Sequence, residues 1–152
     1  MSETITILYA TMTGNSRDCA ETAASRLKKE GHTVTAIDLA NYKVGDIANE
    51  KTVLMTISTW GEGEAPDDGV NFLEHVQALA DGSLPNLEFA VLALGDTSYD
   101  DFCGCGKKFD TEFERVGGKR LTERVDCDVD FQENADAWLG AVVAALANKV
   151  AA

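Results

Sequence analysis

Histidine, proline and basic side chains are the scarce components of this 152-residue chain: two histidines, two prolines, and 13 lysines and arginines against 26 aspartates and glutamates, a formal charge of −13. His32 and His75 stand apart from each other and from Cys19, Cys103, Cys105 and Cys127, whose spacings match no paired zinc pattern. Free thiols and no metal are therefore expected. Cys103 and Cys105 form a CxC pair rather than the CxxC of thioredoxin-like redox motifs, so loop packing is the simpler reading of that pair. Pro66 and Pro85 fall in short turn regions, and no repeat, low-complexity tract or linker interrupts the chain, so residues 1–152 are expected to form one domain. No apolar run is long enough to span a bilayer. The opening MSETITIL also lacks the basic, apolar, small-residue order of a secretory signal, which predicts a soluble, cytoplasmic monomer. The charge disfavours nucleic acid and anionic membranes as partners. It either steers a basic protein partner or serves solubility alone.

What is present is a core-sized apolar content, 45%, arranged in alternating strand and helix patterns. Residues 5–10 (ITILYA) read as a buried strand, and after Gly14 a helix carries an apolar stripe of Ala20, Ala23, Ala24 and Leu27, closed by Gly31. Residues 33–39 read as a second strand, 40–50 as a polar connection, and 52–58 (TVLMTIS) as a third strand whose near-continuous apolar run implies cover on both faces. Asp67 and Asp68 precede a helix patterned by Val70, Leu73, Val76 and Leu79 and ended by Gly82 and Pro85. Residues 87–94 make a fourth strand. Residues 102–116 make a helix with Phe102, Phe109, Phe113 and Val116 near one face, stopped by Gly117 and Gly118, and 121–125 a short fifth strand. Residues 134–150 close the chain as a helix through Trp138, Val142 and Leu146. Five strands alternating with helices predict an α/β, doubly wound, parallel sheet covered by helices on both faces. Ligands of such sheets bind at the carboxyl ends of the strands, where the strand order reverses.

The connections at those ends are the unusual parts of the sequence. The first, TMTGNS (11–16), joins strand to helix through hydroxyl residues and a glycine, which suits a phosphate through backbone N–H groups, Thr11, Thr13, Asn15 and Ser16. It contains no lysine or arginine and matches neither GxxxxGK[ST] nor GxGxxG, and a simple capped helix start also accounts for it. The second, STWGEGEAP (58–66), sets Trp60 beside glycines, either covering a ligand or folded back on the core edge. The third, LGDTSYDDFCGCG (94–106), places Tyr99 among glycines and acids. Two aromatics on neighbouring loops can sandwich a flat ring.

Together, and in this order, TGNS, STWGEGE and LGDTSYDDFCG resemble the phosphate loop and the two ring-flanking loops of the flavodoxin family in its short-chain form. The likeness runs over essentially the whole chain. STWGEGEAPDD is also similar to the flavin mononucleotide (FMN) domains of diflavin reductases. The resemblance implies a flavodoxin-like, five-stranded sheet of order 2-1-3-4-5. Flavodoxins are among the proteins behind the strand-order rule, so the two arguments are not independent. It implies that Thr11, Thr13, Asn15, Ser16 and Ser58 hold the FMN phosphate with the amides around Met12 and Gly14, and that Thr59 lies near the ribityl chain. Trp60 and Tyr99 would flank the isoalloxazine, with backbone of Gly95, Asp96, Asp101 and Cys103 at its pyrimidine edge. Met12 stands where relatives often carry a polar residue, which removes one possible phosphate contact.

The resemblance also implies a mechanism. A peptide beside the ring, here Gly61–Glu62, flips so that its carbonyl accepts a hydrogen bond from the flavin N5–H, and a glycine makes both orientations accessible. Glu62, Glu64, Asp67, Asp68, Asp96, Asp100 and Asp101 would oppose a reduced, anionic flavin, each costing on the order of 0.4 to 1.7 kcal/mol at about 10 Å. The expected function is a low-potential one-electron carrier, cycling mainly between semiquinone and hydroquinone, between a flavin reductase and an acceptor enzyme with basic surfaces. No residue has the setting of a catalytic nucleophile or base, so the chain is not expected to be an enzyme by itself. The alternative is the FMN subunit of a split diflavin reductase or a quinone-reducing relative. A response regulator of the same fold needs an acidic cluster after the first strand and an aspartate after the third. Ala10, Thr11, Ser58 and Thr59 stand there instead.

Overall fold

A computed structural model describes residues 4–10, 15–58, 67–94, 104–127 and 132–151. Apolar, β-branched segments form a parallel sheet of β1 (Thr4–Ala10), β2 (Thr33–Asp38), β3 (Thr52–Ser58), β4 (Glu88–Leu94) and, at the outer position, the short β5 (Lys119–Arg120) and β6 (Val125–Cys127). The order is β2-β1-β3-β4-β5, with β6 also on β4. Helices α1 (Asn15–Lys29) and α4 (Gln132–Ala151) cover one face, and α2 (Asp67–Gln77) and α3 (Gly104–Arg115) the other. The architecture is the α/β, 2-1-3-4-5 sheet expected.

Side-chain alternation sorts the strands between two cores. Ile5, Ile7, Leu54, Ala90 and Leu92 meet α1 and α4, while Leu8, Val53, Met55, Ile57, Phe89 and Val91 meet α2 and α3. The stripe Ala20, Ala23, Ala24 and Leu27 of α1 is buried as expected, and Gly31 ends that helix at a φ of 95°. Trp138, Val142 and Leu146 of α4 are likewise buried.

Three expectations need correction. The fifth strand does not run over 121–125: the ladder on β4 pairs Glu88 and Phe89 with Lys119 and Arg120, then Leu92, Ala93 and Leu94 with Val125, Asp126 and Cys127. Residues 121–124 thus face only 90–91, a bulge that splits the strand. Asp110 of α3, itself buried, closes the gap. It accepts two hydrogen bonds from Arg120 (2.9 and 3.0 Å) and one from Arg124 (3.2 Å), and Arg120 lies 5.5 Å from the Phe89 ring centroid. Second, the stretch 40–50 is no mere polar connection. Two short 3-10 helices, Leu39–Asn41 and Val44–Asn49, flank the buried Tyr42, the second buries Ile47, and Glu50 accepts hydrogen bonds from Thr6 Oγ1 (2.6 Å) and Tyr42 OH (3.2 Å). Third, α2 starts at Asp67 rather than after Asp68; Leu73 and Val76 of the expected stripe are buried, Leu79 packs against the same core, and Phe72 widens that face. The helix expected over 102–116 is described over Gly104–Arg115, with Phe109, Phe113 and Val116 buried as expected; residues 102 and 103 lie outside the described residues.

The turn after α3 requires its glycines. Gly117 has φ 105°, and a Cβ on Gly118 would sit 2.7 Å from the Phe113 carbonyl oxygen and 2.9 Å from Phe89 Cδ1. Arg115 ties this turn to the end of α2, donating to the carbonyls of Val76 (3.1 Å), Gln77 (3.3 Å) and Leu79 (2.9 Å) and pairing with Glu112 and Asp81. A cation over the last carbonyls of a helix satisfies acceptors that the helix itself leaves open.

Candidate functional site

Because every strand is parallel, β1, β3 and β4 leave the sheet at one edge, and their register shows how closely. Ala10 pairs with Ile57 and Ser58 with Leu94, so the three exits lie side by side. At about 4.8 Å between neighbouring strands, three exits span about 10 Å, the scale of a flat ring system. The order reverses between β1 and β3, with β2 lying outside β1, which makes the β1–β3 exit the switch point of the sheet.

Helix α1 begins at Asn15, only four residues after β1 ends at Ala10. So short a connection keeps the first, unpaired N–H groups of α1 at the strand exit, where they and the helix dipole favour an anion. Asn15 and Ser16 open that helix, and Ser58 closes β3 beside it. These are the expected site residues that the described structure brings to one place. Thr11, Met12, Thr13, Gly14, Thr59, Trp60, Gly61, Gly95, Asp96, Tyr99, Asp101 and Cys103 lie outside the described residues, as does Glu62 of the expected flipping peptide. The segments containing them join described ends that all meet this edge: Ala10 to Asn15, Ser58 to Asp67, and Leu94 to Gly104.

A fourth exit was not legible beforehand. Cys127, the last residue of β6, pairs with Leu94, so the connection to α4 leaves from the same edge. Placing the fifth strand at 121–125 ends it two residues early and hides this neighbour. The only advance signal was the position of Asp128 and Asp130 between that strand and the last helix.

One turn into α1, Cys19 is a free, buried thiol whose pKa is pushed up to about 11, chiefly by burial and further by the charges of Asp18 and Asp136. Such a thiol stays protonated and unreactive near neutral pH. Among the described residues, no helix is long and apolar enough to cross a membrane.

The flavodoxin family model matches residues 7–138, from β1 into α4. The chain belongs to the flavodoxin family. Among curated proteins it is 48% identical over 147 residues to the sulfite reductase [NADPH] flavoprotein alpha-component of Mannheimia succiniciproducens, covering 97% of this chain and 25% of that protein. The chain spans about a quarter of the length of the curated relatives it matches. Among solved structures, a flavodoxin of Streptococcus pneumonia TIGR4 superposes with a TM-score of 0.80 at 27% identity, over 93% of this chain and 98% of that one. A short-chain flavodoxin associated with a non-canonical PDU bacterial microcompartment gives 0.81 at 25% identity, over 95% and 98%. FMN is the cofactor of the flavodoxin family. The edge described above fits that nucleotide: a helix start for the phosphate at β1, and neighbouring exits of β3 and β4 at the spacing of a ring.

Proposed function

We propose that this flavodoxin-family chain holds FMN at the β1–β3–β4 edge and passes electrons one at a time from a reductase to an acceptor enzyme. The observation that carries the reading is the register of the three strand exits with the start of α1 four residues from β1. When bound, FMN supplies a ring able to take up one or two electrons. The chain supplies the rest. The N-terminus of α1, with Asn15, Ser16, Ser58 and the segment 11–14, binds the phosphate; Thr59 orients the chain leading to the ring; Trp60 and Tyr99 cover its faces and exclude water. Gly95, Asp96, Asp101 and Cys103 hold the pyrimidine edge through their backbone. The Gly61–Glu62 carbonyl would accept a hydrogen bond from the ring N5–H, and the acids of the edge would disfavour further negative charge there. The surplus of 26 acidic over 13 basic side chains suits a donor and an acceptor with basic surfaces.

A second reading has its own observation. Identity reaches 48% with the long sulfite reductase flavoprotein and 27% with a flavodoxin of this chain's size. It makes the chain the FMN-carrying module of a reductase system, receiving electrons from a separate nicotinamide-oxidising flavoprotein. Anaerobic potentiometry of the FMN-loaded chain tests the shared claim. Two resolved one-electron steps are expected, and a single two-electron step would contradict it. Reduction of the loaded chain by NADPH only when a diflavin-type reductase domain is added would favour the second reading.

A further inference from the structure

The connection 95–103, to which the proposed function gives the pyrimidine edge of the ring, is strung between two described ends: Leu94, the last residue of β4, and Gly104, the first of α3. Whatever fixes those ends relative to each other shapes the span between them. Leu94 is also the residue opposite Cys127, where β6 ends. β6 has three residues and pairs only with β4 among the described strands, which puts it at the lower limit of strand length. On one face Val125 packs toward the core under α1 and α4. On the other face the strand is held by charge.

Asp110 of α3 is the only charged side chain buried among the described residues, 6% exposed. Arg120 donates to both of its carboxylate oxygens, at 2.9 and 3.0 Å, and so compensates the buried charge by itself. Arg124 is therefore not needed to solvate Asp110. It nevertheless donates to the same carboxylate through Nη1 at 3.2 Å, and turns Nε and Nη2 to Asp126 of β6, at 2.7 and 3.3 Å. One guanidinium thus joins α3 to β6, through a fork of donors that lysine lacks. Asp110 lies six residues along α3 from Gly104, about 9 Å at the rise of a helix. Asp126 immediately precedes Cys127. Arg115, by contrast, ties the other end of α3 to the end of α2, where β5 is about to begin and no strand exits.

We propose that Arg124 is a positioning residue for the flavin ring: by bridging Asp110 and Asp126 it holds the start of α3 against the β6 exit, and so sets the span across which the 95–103 connection meets the ring. It does not act on the phosphate, whose subsite at β1 and α1 lies two strands from β4. The inference rests on the reading of this edge as an FMN site.

The test compares the natural chain with Arg124→Met, Arg124→Lys and Arg115→Met by titration with FMN and with riboflavin, under conditions where circular dichroism shows each chain folded. Riboflavin carries no phosphate and no charge, so its affinity reports the ring subsite alone. Arg124→Met keeps an aliphatic stem and leaves Asp110 paired with Arg120. It is expected to bind both flavins about fivefold more weakly, because a connection left unrestrained must be ordered on binding. The ratio of the two affinities is expected to stay that of the natural chain, and the visible absorption band of bound FMN to shift. Arg124→Lys keeps the charge but serves one carboxylate at a time, and is expected to weaken riboflavin binding less than Arg124→Met does. Arg115→Met removes the same charge and a comparable tie from the far end of α3; it is expected to lower stability and leave both affinities and the band unchanged. Natural riboflavin affinity in Arg124→Met or in Arg124→Lys, a loss confined to FMN, or an equal loss in Arg115→Met would each overturn the proposal while the natural chain binds both flavins. A natural chain that binds neither would overturn the functional reading itself, and this inference with it.

Discussion

The two faces of the sheet are packed by opposite means. Toward α2 and α3 the core is a row of rings in contact: Tyr42 edge-on to Phe72 at 5.8 Å, Phe72 stacked with Phe109 at 5.6 Å, Phe109 against Phe113 at 5.9 Å, and Phe113 against Phe89 at 5.4 Å. Toward α1 and α4 the strand and helix aliphatics, Ile5, Ile7, Leu54 and Leu92 among them, are interleaved with Ala20, Ala23, Ala24 and Ala90, and Trp138 is the one large aromatic among the buried residues. The aromatic face gains its stability from bulk, and truncation harms it most. The alanine face gains close approach: small residues let α1 lie near the strands, which carries its N-terminus to the β1 exit where the phosphate is proposed to sit. Enlargement harms that face most.

The largest expected effect is therefore on the aromatic side. Phe113→Ala removes a fully buried ring touching three others and is expected to cost about 3–5 kcal/mol in urea unfolding. The folded fraction should keep its FMN affinity. A cost below about 1 kcal/mol would mean that the rings are not packed as described.

Enlargement on the other face should couple stability to function. Ala20 is fully buried, so Ala20→Leu is expected to cost about 1–3 kcal/mol. It should also weaken FMN binding, because it pushes α1 and its first turn away from the strand exits. Destabilisation with FMN affinity intact would separate α1 packing from the site and break the comparison.

The smallest effect is a difference in alkaline stability between the faces. The pKa of the Cys19 thiol is raised from 9.0 to about 11, so its contribution is fully present below pH 9 and is lost as pH rises through 11, the unfolded chain releasing its proton first. The pKa of Tyr42, on the aromatic face, is raised above 10.0 by burial and by Glu50, with the same sign but a later onset. Unfolding free energy measured against pH should begin to fall near pH 9 in the natural chain. In Cys19→Ala the fall should begin only near pH 10; an unchanged onset would show that the thiol is not buried next to Asp18 and Asp136.

Sequence reading succeeded where the signal is local. Residues 52–58 form a strand over the same bounds as β3, because a continuous apolar run flanked by Lys51 and a glycine-containing stretch leaves little choice. The α1 stripe and Gly31 were legible for the same reason. It failed where partners far along the chain decide. Lys119 and Arg120 have no strand character of their own; they pair because β4 offers Glu88 and Phe89 and because Asp110 anchors Arg120. Tyr42, between two 3-10 turns, and Ile47, within the second, are isolated apolar residues with no period to detect, and Tyr42 is recruited by Phe72 and Glu50. At the candidate site, Asn15 and Ser16 open α1 and Ser58 closes β3. The fourth exit, at Cys127, was hidden by the bulge over 121–124.

The most direct test of the central claim, that the start of α1 and the exits of β1, β3 and β4 form one nucleotide site, is a paired titration of the chain with FMN and with riboflavin, followed by quenching of flavin fluorescence. One equivalent of FMN is expected to bind, on the order of a hundredfold more tightly than riboflavin, as two charge-assisted hydrogen bonds to the phosphate would supply. Equal affinity for the two, or no saturable binding of FMN, would contradict the account.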